Sequence, residues 1–238
     1  MSWRTIRKSQ EMSKKKKKKP MMNLFCRIFD PRMWFFDFVK WTGALPLLFV
    51  MRTKVIYLNG KRPKGLYRGK FIVASNHISF LDPIVIGTVV KLRRIGFVAT
   101  KELIDKRPWF FKGIGCIEID KENPTVETFK NVQKRLYRGH PVVVFPEGTV
   151  VRHEDIKTFK TGIMMMAMMS EADIVPVYLG NRKTFKQRKV AIVGDRIKYS
   201  DLIKSPFPTM DDLKNAAEYL REKELELENK FHELYKGE

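Results

Sequence analysis

At 238 residues the chain is long enough to bury one sizeable core, and it suits a single domain with an appendage. The formal net charge is +21: residues 1–20 set Arg4, Arg7, Lys8 and Lys14–Lys19 against Glu11, a net +8, which leaves +13 on the remainder. A basic excess of that size on the body implies anionic phosphate partners, while two cysteines without CxxC spacing, Cys26 and Cys116, exclude a disulfide framework and a cysteine zinc site.

Residues 1–20 carry no apolar run of the signal-peptide kind and read as a basic disordered leader or an appended remnant, with Met21 as the alternative start. Residues 21–52 are aromatic and apolar. Their longest stretch free of charge, 41–51, is eleven residues and holds Gly43 and Pro46. A bilayer span needs about 20 apolar residues, so crossing is not expected. Phe25, Phe29, Trp34, Phe35, Phe36, Phe38 and Trp41 alternate with Arg27, Arg32 and Lys40. That is the composition of an amphipathic segment lying in the headgroup plane, rings in the acyl boundary and cations on phosphates. Pro31 and Gly43 are expected to break it into two short helices. The competing reading is an ordinary helix pair packed on the core. The expected localisation is the cytoplasmic face of a membrane, peripheral or monotopic.

Residues 53–238 alternate. β-Branched runs predict strands at 55–58, 71–75, 95–100, 116–119, 142–145, 174–179 and 190–193. Helical patterns fall at 80–92, 101–112, 124–137 and 161–171, with Pro124 a start signal and Gly139 a stop. The expected fold is α/β: a layered, largely parallel sheet flanked by helices, with sites where strand ends meet helix starts. A last helix over 209–236 opens on the capping-box pair Thr209 and Asp212. Its apolar seam is interrupted by Glu224, which argues for packing on the domain and against a coiled coil.

Chemistry gathers at two strand exits. After 71–75 comes Asn76-His77-Ile78-Ser79-Phe80-Leu81-Asp82. A histidine there meets substrate and titrates near neutrality, so it serves as a general base, best when a carboxylate holds its other ring nitrogen. Within one helix, five residues turn Asp82 away from His77; with His77 in the loop and Asp82 in the first helical turn, the two meet. Ser79-x-x-Asp82 is equally a capping box ahead of Pro83, a purely structural reading. After 142–145 comes Pro146-Glu147-Gly148-Thr149, then Arg152 and His153. Gly148 permits close backbone approach and Glu147 binds hydroxyls or cations, or the stretch is a connecting turn.

Together, Asn76-His77-x4-Asp82 and Phe145-Pro146-Glu147-Gly148-Thr149, with 70 residues between His77 and Glu147, resemble the glycerolipid acyltransferase family, above all its lysophosphatidic acid acyltransferase members. Lys101-Glu102-Leu103 with Pro108 and Gly113, the run from Gly115 to Lys121, Phe159-Lys160-Thr161-Gly162 and Val175-Pro176-Val177 follow the family's order, so the likeness covers about residues 55–195. Two positions depart from its pattern: Lys121 stands where Arg is common, and Val150 where Arg often follows the third motif. Lys and Arg differ at a bidentate phosphate site.

The resemblance implies transfer of a fatty acyl group from a thioester, on acyl carrier protein or coenzyme A, to the free hydroxyl of 1-acyl-glycerol 3-phosphate in phospholipid biosynthesis. His77, oriented by Asp82, is the implied base, and backbone amides near the helix start stabilise the oxyanion. Glu147, Gly148 and Thr149 hold the glycerol part; Arg152, Lys121 and Lys101 are candidates for its phosphate. No covalent intermediate, cofactor or metal is implied, and no GxSxG or GxxxxGK[ST] motif occurs. Alternatives are another acceptor, such as glycerol 3-phosphate or a different lysophospholipid, and a basic membrane- or nucleic-acid-binding protein. Against nucleic acid, the aromatics crowd the N-terminal segment instead of interleaving with basic residues on the sheet. Met164, Met165, Met166, Met168 and Met169 read as a core helix that can also line an acyl groove.

Overall fold

The computed structural model describes residues 33–51, 53–63, 65–91, 93–120, 125–148, 159–180, 189–203, 205 and 208–235. Seven strands form one sheet: β1 (Lys54–Tyr57), β2 (Phe71–Ser75), β3 (Gly96–Thr100), β4 (Cys116–Ile119), β5 (Val142–Val144), β6 (Asp173–Gly180) and β7 (Val190–Val193). Their order is β1-β7-β6-β2-β5-β3-β4. Every neighbouring pair is parallel except β6 with β7. All seven predicted strands are present, and the largely parallel sheet is as expected.

β2 lies at the centre, buried along its whole length, which is why Phe-Ile-Val-Ala-Ser reads as a continuous run and not an alternating one. Its side chains feed two layers. Ile72 and Ala74 join a cluster with Phe129, Val132 and Leu136 of α6 (Val126–Tyr137) and with Met164 and Met166 of α7 (Gly162–Ser170). Phe71 and Val73 join Val85, Ile86 and Val89 of α3 (Asp82–Val89) on the other face. Two-sided cover of this kind is what a parallel sheet requires. The methionine helix is core, as read, although Met166 also reaches a cavity wall.

α9 (Met210–Tyr235) is the long C-terminal helix. Its capping box forms: the Thr209 amide donates to Asp212 Oδ2 at 2.8 Å and the Asp212 amide to Thr209 Oγ1 at 3.2 Å. The seam packs on β6 and β7 through Leu220, Leu227 and Phe231. Gly180 makes room for it, since a Cβ there would lie 2.0 Å from the Phe231 ring. The remaining helix, α8, is one turn (Tyr199–Leu202).

Two expectations need correction. The helix predicted over 101–112 is two: α4 (Lys101–Lys106) and α5 (Pro108–Gly113). Arg107 leaves helical backbone (φ −150°, ψ 73°) because a residue before proline avoids it, and Pro108 then opens the second helix. Gly43 does not break the N-terminal segment. α1 (Trp34–Val39) passes through a π-helical turn (Lys40–Ala44), which holds Gly43, into α2 (Leu45–Met51) with helical backbone at both junctions. Pro31 lies outside the described residues.

Candidate active site

The carboxyl ends of β2 and β5 are neighbours in parallel register, with Ala74 beside Val144, so both loops open on the same end of the sheet. Asn76 fixes the first exit. Its Nδ2 donates to the Leu179 carbonyl at 3.0 Å and its Oδ1 accepts the Leu179 amide at 2.7 Å, pinning the end of β2 to the end of β6. His77 follows with a ring one-fifth exposed.

Nδ1 of His77 lies 2.8 Å from Oδ2 of Asp82. The same oxygen accepts the amides of Ile78 at 2.8 Å and Ser79 at 2.7 Å. Three donors on one oxygen mark a carboxylate acceptor. They make Nδ1 the N–H nitrogen and leave the Nε2 lone pair free to take a proton. Asp82 itself is 2% exposed. One carboxylate oxygen serves both places: it accepts the Ser79 amide ahead of the helix and lies 2.8 Å from Nδ1 of the histidine, while the Asp82 amide bonds the Ser79 carbonyl at 3.0 Å in place of its hydroxyl. The amides of Ile78 and Ser79 are thereby committed to Asp82, and that of Leu81 bonds Ser79 Oγ at 3.3 Å. An oxyanion would have to find its donors elsewhere than in these three.

Phe145, first residue beyond β5, stacks on His77 with ring centres 4.1 Å apart and planes at 16°. The chain then turns through Pro146 and Glu147, closed by the Gly148 amide on the Phe145 carbonyl at 3.0 Å. Gly148 has φ +71°, backbone that other residues adopt only under strain. Glu147 is buried at 6% exposure. Behind the turn, the Lys160 amide donates to the Pro146 carbonyl at 3.1 Å, and its Cε would lie 3.4 Å from a Cβ on Gly148.

His77, Phe145, Gly148 and Lys160 form one side of a cavity of about 860 Å³. Its other walls are chiefly apolar, contributed by Phe36 and Val39 of α1, Val98 of β3, Phe110 of α5 and Ile163 of α7. Cys116 also lines it; burial, offset in part by Arg135, pushes its thiol up to about 12. An oriented imidazole at the edge of a chiefly apolar cavity suits chemistry on a group carried by a hydrocarbon chain.

The predicted site residues are thus partly assembled. His77 and Asp82 meet, and Glu147 and Gly148 stand beside them. Lys101 is exposed at the start of α4, where the cavity wall comes from Thr100 and Leu103. Thr149, Arg152, Lys121, Phe25 and Phe29 lie outside the described residues. Of the aromatic set, Trp34, Phe38 and Trp41 are exposed at 66%, 56% and 65%, one stripe at helical spacing. Phe35 meets Trp109 and Phe110 edge-on at 5.7 and 6.0 Å. Phe36 is 8% exposed in the core, so its ring is not available to a surface. α1 is also tied to the body by Asp37, which accepts from Arg94 Nε at 3.0 Å. Among the described residues no helix is long and apolar enough to cross a membrane, and no group of three metal-ligating side chains occurs.

Sequence reasoning passes over Lys160 as a site residue: it is one of 47 basic residues, although the segment from Phe159 to Gly162 follows the family's order.

Among proteins of known kind, the chain is 31% identical over 172 residues to a 1-acyl-sn-glycerol-3-phosphate acyltransferase of Bacillus subtilis, covering 69% of this chain and 84% of that one. A protein of the same name from Streptococcus pneumoniae is 30% identical over 144 residues; the match takes in 56% of this chain and about half, 52%, of that protein. The fold resembles the crystal structure of the 1-acyl-sn-glycerophosphate acyltransferase PlsC of Thermotoga maritima, with a TM-score of 0.58 at 16% identity over 83% of this chain and 80% of the other. The acyltransferase family model matches residues 55–180, a stretch that holds both strand exits and their motifs. The chain therefore belongs to the acyltransferase family and is an acyl-transferring enzyme.

Proposed function

We propose that this enzyme transfers a fatty acyl group from an acyl thioester to the free hydroxyl of 1-acyl-glycerol 3-phosphate, giving phosphatidic acid, with His77 as general base. The observation that carries the reading is the His77–Asp82 pair at 2.8 Å, its free ring nitrogen beside an apolar cavity, in a chain whose relatives bear that acceptor in their names. Nε2 takes the hydroxyl proton as the oxygen attacks the thioester carbonyl; a C–O bond forms and the C–S bond breaks. The imidazolium, stabilised by Asp82, returns the proton to the departing thiolate, so no acyl-enzyme is needed. The apolar cavity takes hydrocarbon. Glu147 and Gly148 position the glycerol, and Lys160, with Arg152 and Lys121, supplies positive charge for the phosphate. The thioester rides on coenzyme A or acyl carrier protein.

Trp34, Phe38 and Trp41, with Phe49 and Trp109 exposed at 82% and 70%, suit a bilayer surface, where the lipid acceptor resides. This supports peripheral attachment to a membrane, which the proposal sets at the cytoplasmic face. The test is transfer from a labelled acyl thioester to lysophosphatidic acid in vesicles. Wild type should yield phosphatidic acid and His77→Ala should not. A wild type active only on glycerol 3-phosphate or another lysophospholipid would replace the acceptor; near-normal turnover by His77→Ala would sink the base.

A further inference from the structure

The exits of β2 and β5 bring one more side chain to the base. Ala74 and Val144 are register partners, so Phe145, one residue past β5, emerges beside the Ser75-Asn76-His77 exit of β2. Neighbouring strands lie about 4.8 Å apart, a gap that two flat rings close when they lie face to face. Phe145 and His77 do so: their ring centres are 4.1 Å apart and their planes 16° from parallel. The phenyl ring is held from behind. β5 pairs with β2 on one side and β3 on the other, and the Phe145 carbonyl accepts the Gly148 amide at 3.0 Å. The Phe145 side chain packs on the core cluster that contains Phe71, Val73 and Ile86. The imidazole thus leans on a fixed wall.

A histidine base needs such a wall. Nδ1 of His77 is tied to Oδ2 of Asp82 at 2.8 Å. A hydrogen bond tolerates about 30° of bending, and the last torsion of a histidine side chain has a broad minimum. That contact alone lets the ring rock about its Cβ–Cγ bond and carry Nε2 out of line. Misplacing a reacting atom by about 1 Å can cost about a hundredfold in rate. An aliphatic side chain would fill the same space without offering a plane. The phenyl face also attracts the positive charge that appears when Nε2 takes a proton.

Resting on the reaction proposed above, we propose that Phe145 is a positioning residue for the base: its ring sets the plane of the His77 imidazole, aims Nε2 into the cavity and stabilises the imidazolium formed there. Phe145 also lines the cavity, so loss of aim has to be told apart from loss of a wall. The experiment compares full-length wild type with Phe145→Leu, Phe145→Met, Phe145→Tyr and Phe145→Trp in mild detergent. Turnover with acyl thioester and lysophosphatidic acid is followed at a temperature where all are folded, beside NMR of ring-labelled histidine. The chain has four histidines, and His77→Ala identifies the His77 signals. Shielding above the phenyl face should move the His77 ring protons upfield of the other three in wild type, and Phe145→Leu should abolish that shift. Phe145→Leu should lower kcat about tenfold with KM for lysophosphatidic acid within about twofold, the mark of an interaction made in the transition state. Phe145→Tyr or Phe145→Trp should restore most of the shift and of kcat. Phe145→Met, also without a ring, should behave as Phe145→Leu and replaces it should the leucine variant fold poorly.

Wild-type His77 protons without the upfield shift, or ring-free variants that keep wild-type kcat, would overturn the proposal. So would a loss that neither aromatic variant recovers, or one confined to KM, which belongs to a cavity wall alone. A wild type active only on glycerol 3-phosphate replaces the acceptor, and the same kcat comparison is then read on that substrate. A wild type that transfers no acyl group to any acceptor sinks the reaction and the positioning role together, whereas a missing shift in an active enzyme sinks the positioning role alone.

Discussion

Replacing Asp82 separates its two tasks, and the structure predicts how far each falls. Asp82→Asn keeps an oxygen where Oδ2 stands, so the amides of Ile78 and Ser79, at 2.8 and 2.7 Å, retain an acceptor and the helix start survives. What disappears is the negative charge beside Nδ1, now 2.8 Å away. Opposite charges centred about 4 Å apart at an effective dielectric near 20 attract by about 4 kcal/mol. That attraction is felt only when the ring becomes imidazolium, so it leaves the transition state and the rate drops about 10³-fold. Asp82→Ala does this and also takes the acceptor from two half-buried amides, each costing up to about 1–3 kcal/mol. At about 2–4 °C per kcal/mol for a chain of this length, it should melt about 5–15 °C lower. Turnover with lysophosphatidic acid, followed beside thermal unfolding, reads both. Because His77 and Asp82 act as a unit, His77→Ala with Asp82→Asn should be no slower than His77→Ala alone. Asp82→Asn within about tenfold of wild-type turnover would refute the assignment of the base pair, and Asp82→Ala melting with wild type would refute the capping argument.

Asn76→Ala breaks both bonds to Leu179 at a buried site, leaving two backbone groups without their partner; it should cost about 2–4 kcal/mol in chemical denaturation and lower turnover as His77 loosens. Lys160→Ala should raise the KM for lysophosphatidic acid about tenfold with kcat little changed, the mark of binding lost equally from ground and transition states; a collapse of kcat alone would assign the cation to the oxyanion. The thiol of Cys116, pushed up to about 12 chiefly by burial, should react with iodoacetamide at neutral pH far more slowly than a free cysteine and speed up as pH rises toward that value. Rapid labelling at neutral pH would show the cavity wall to be open to water.

How much of this was legible depends on what each feature needs from distant parts of the chain. The strands were, because a buried parallel sheet demands β-branched runs that polar segments do not imitate. The break at Arg107-Pro108 was legible too, since the rule concerning residues before proline is local, and the helical pattern of 101–112 merely obscured it. Gly43 misled: glycine lowers helical preference by roughly 1 kcal/mol, which packing through Met33 and Phe36 and the Asp37–Arg94 pair outweighs. Phe36 was read with its neighbours as a surface ring, and only the position of α3 across from it decides that it is core. Burial of Glu224 is further still from local pattern, because it is set by where α9 lies on β6 and β7, strands distant from it in the chain.

The spacing of the motifs has a mechanical origin. The four residues between His77 and Asp82 put the imidazole before the helix and the carboxylate in its first turn, where one oxygen accepts the Ile78 and Ser79 amides and lies 2.8 Å from Nδ1; one residue more or fewer would break this arrangement. The 70 residues from His77 to Glu147 hold β3 and β4, built outward on one side of β2 before the chain returns to lay β5 between β2 and β3. That return sets β5 beside β2 in the same direction, which brings the histidine and the glutamate turn to one end of the sheet. β6 then crosses to the far side of β2 and supplies Leu179 for Asn76, and α9 packs on β6. The site is therefore complete only when nearly the whole chain has folded, and stability and activity should fail together for substitutions under α9 but separately for those at Asp82.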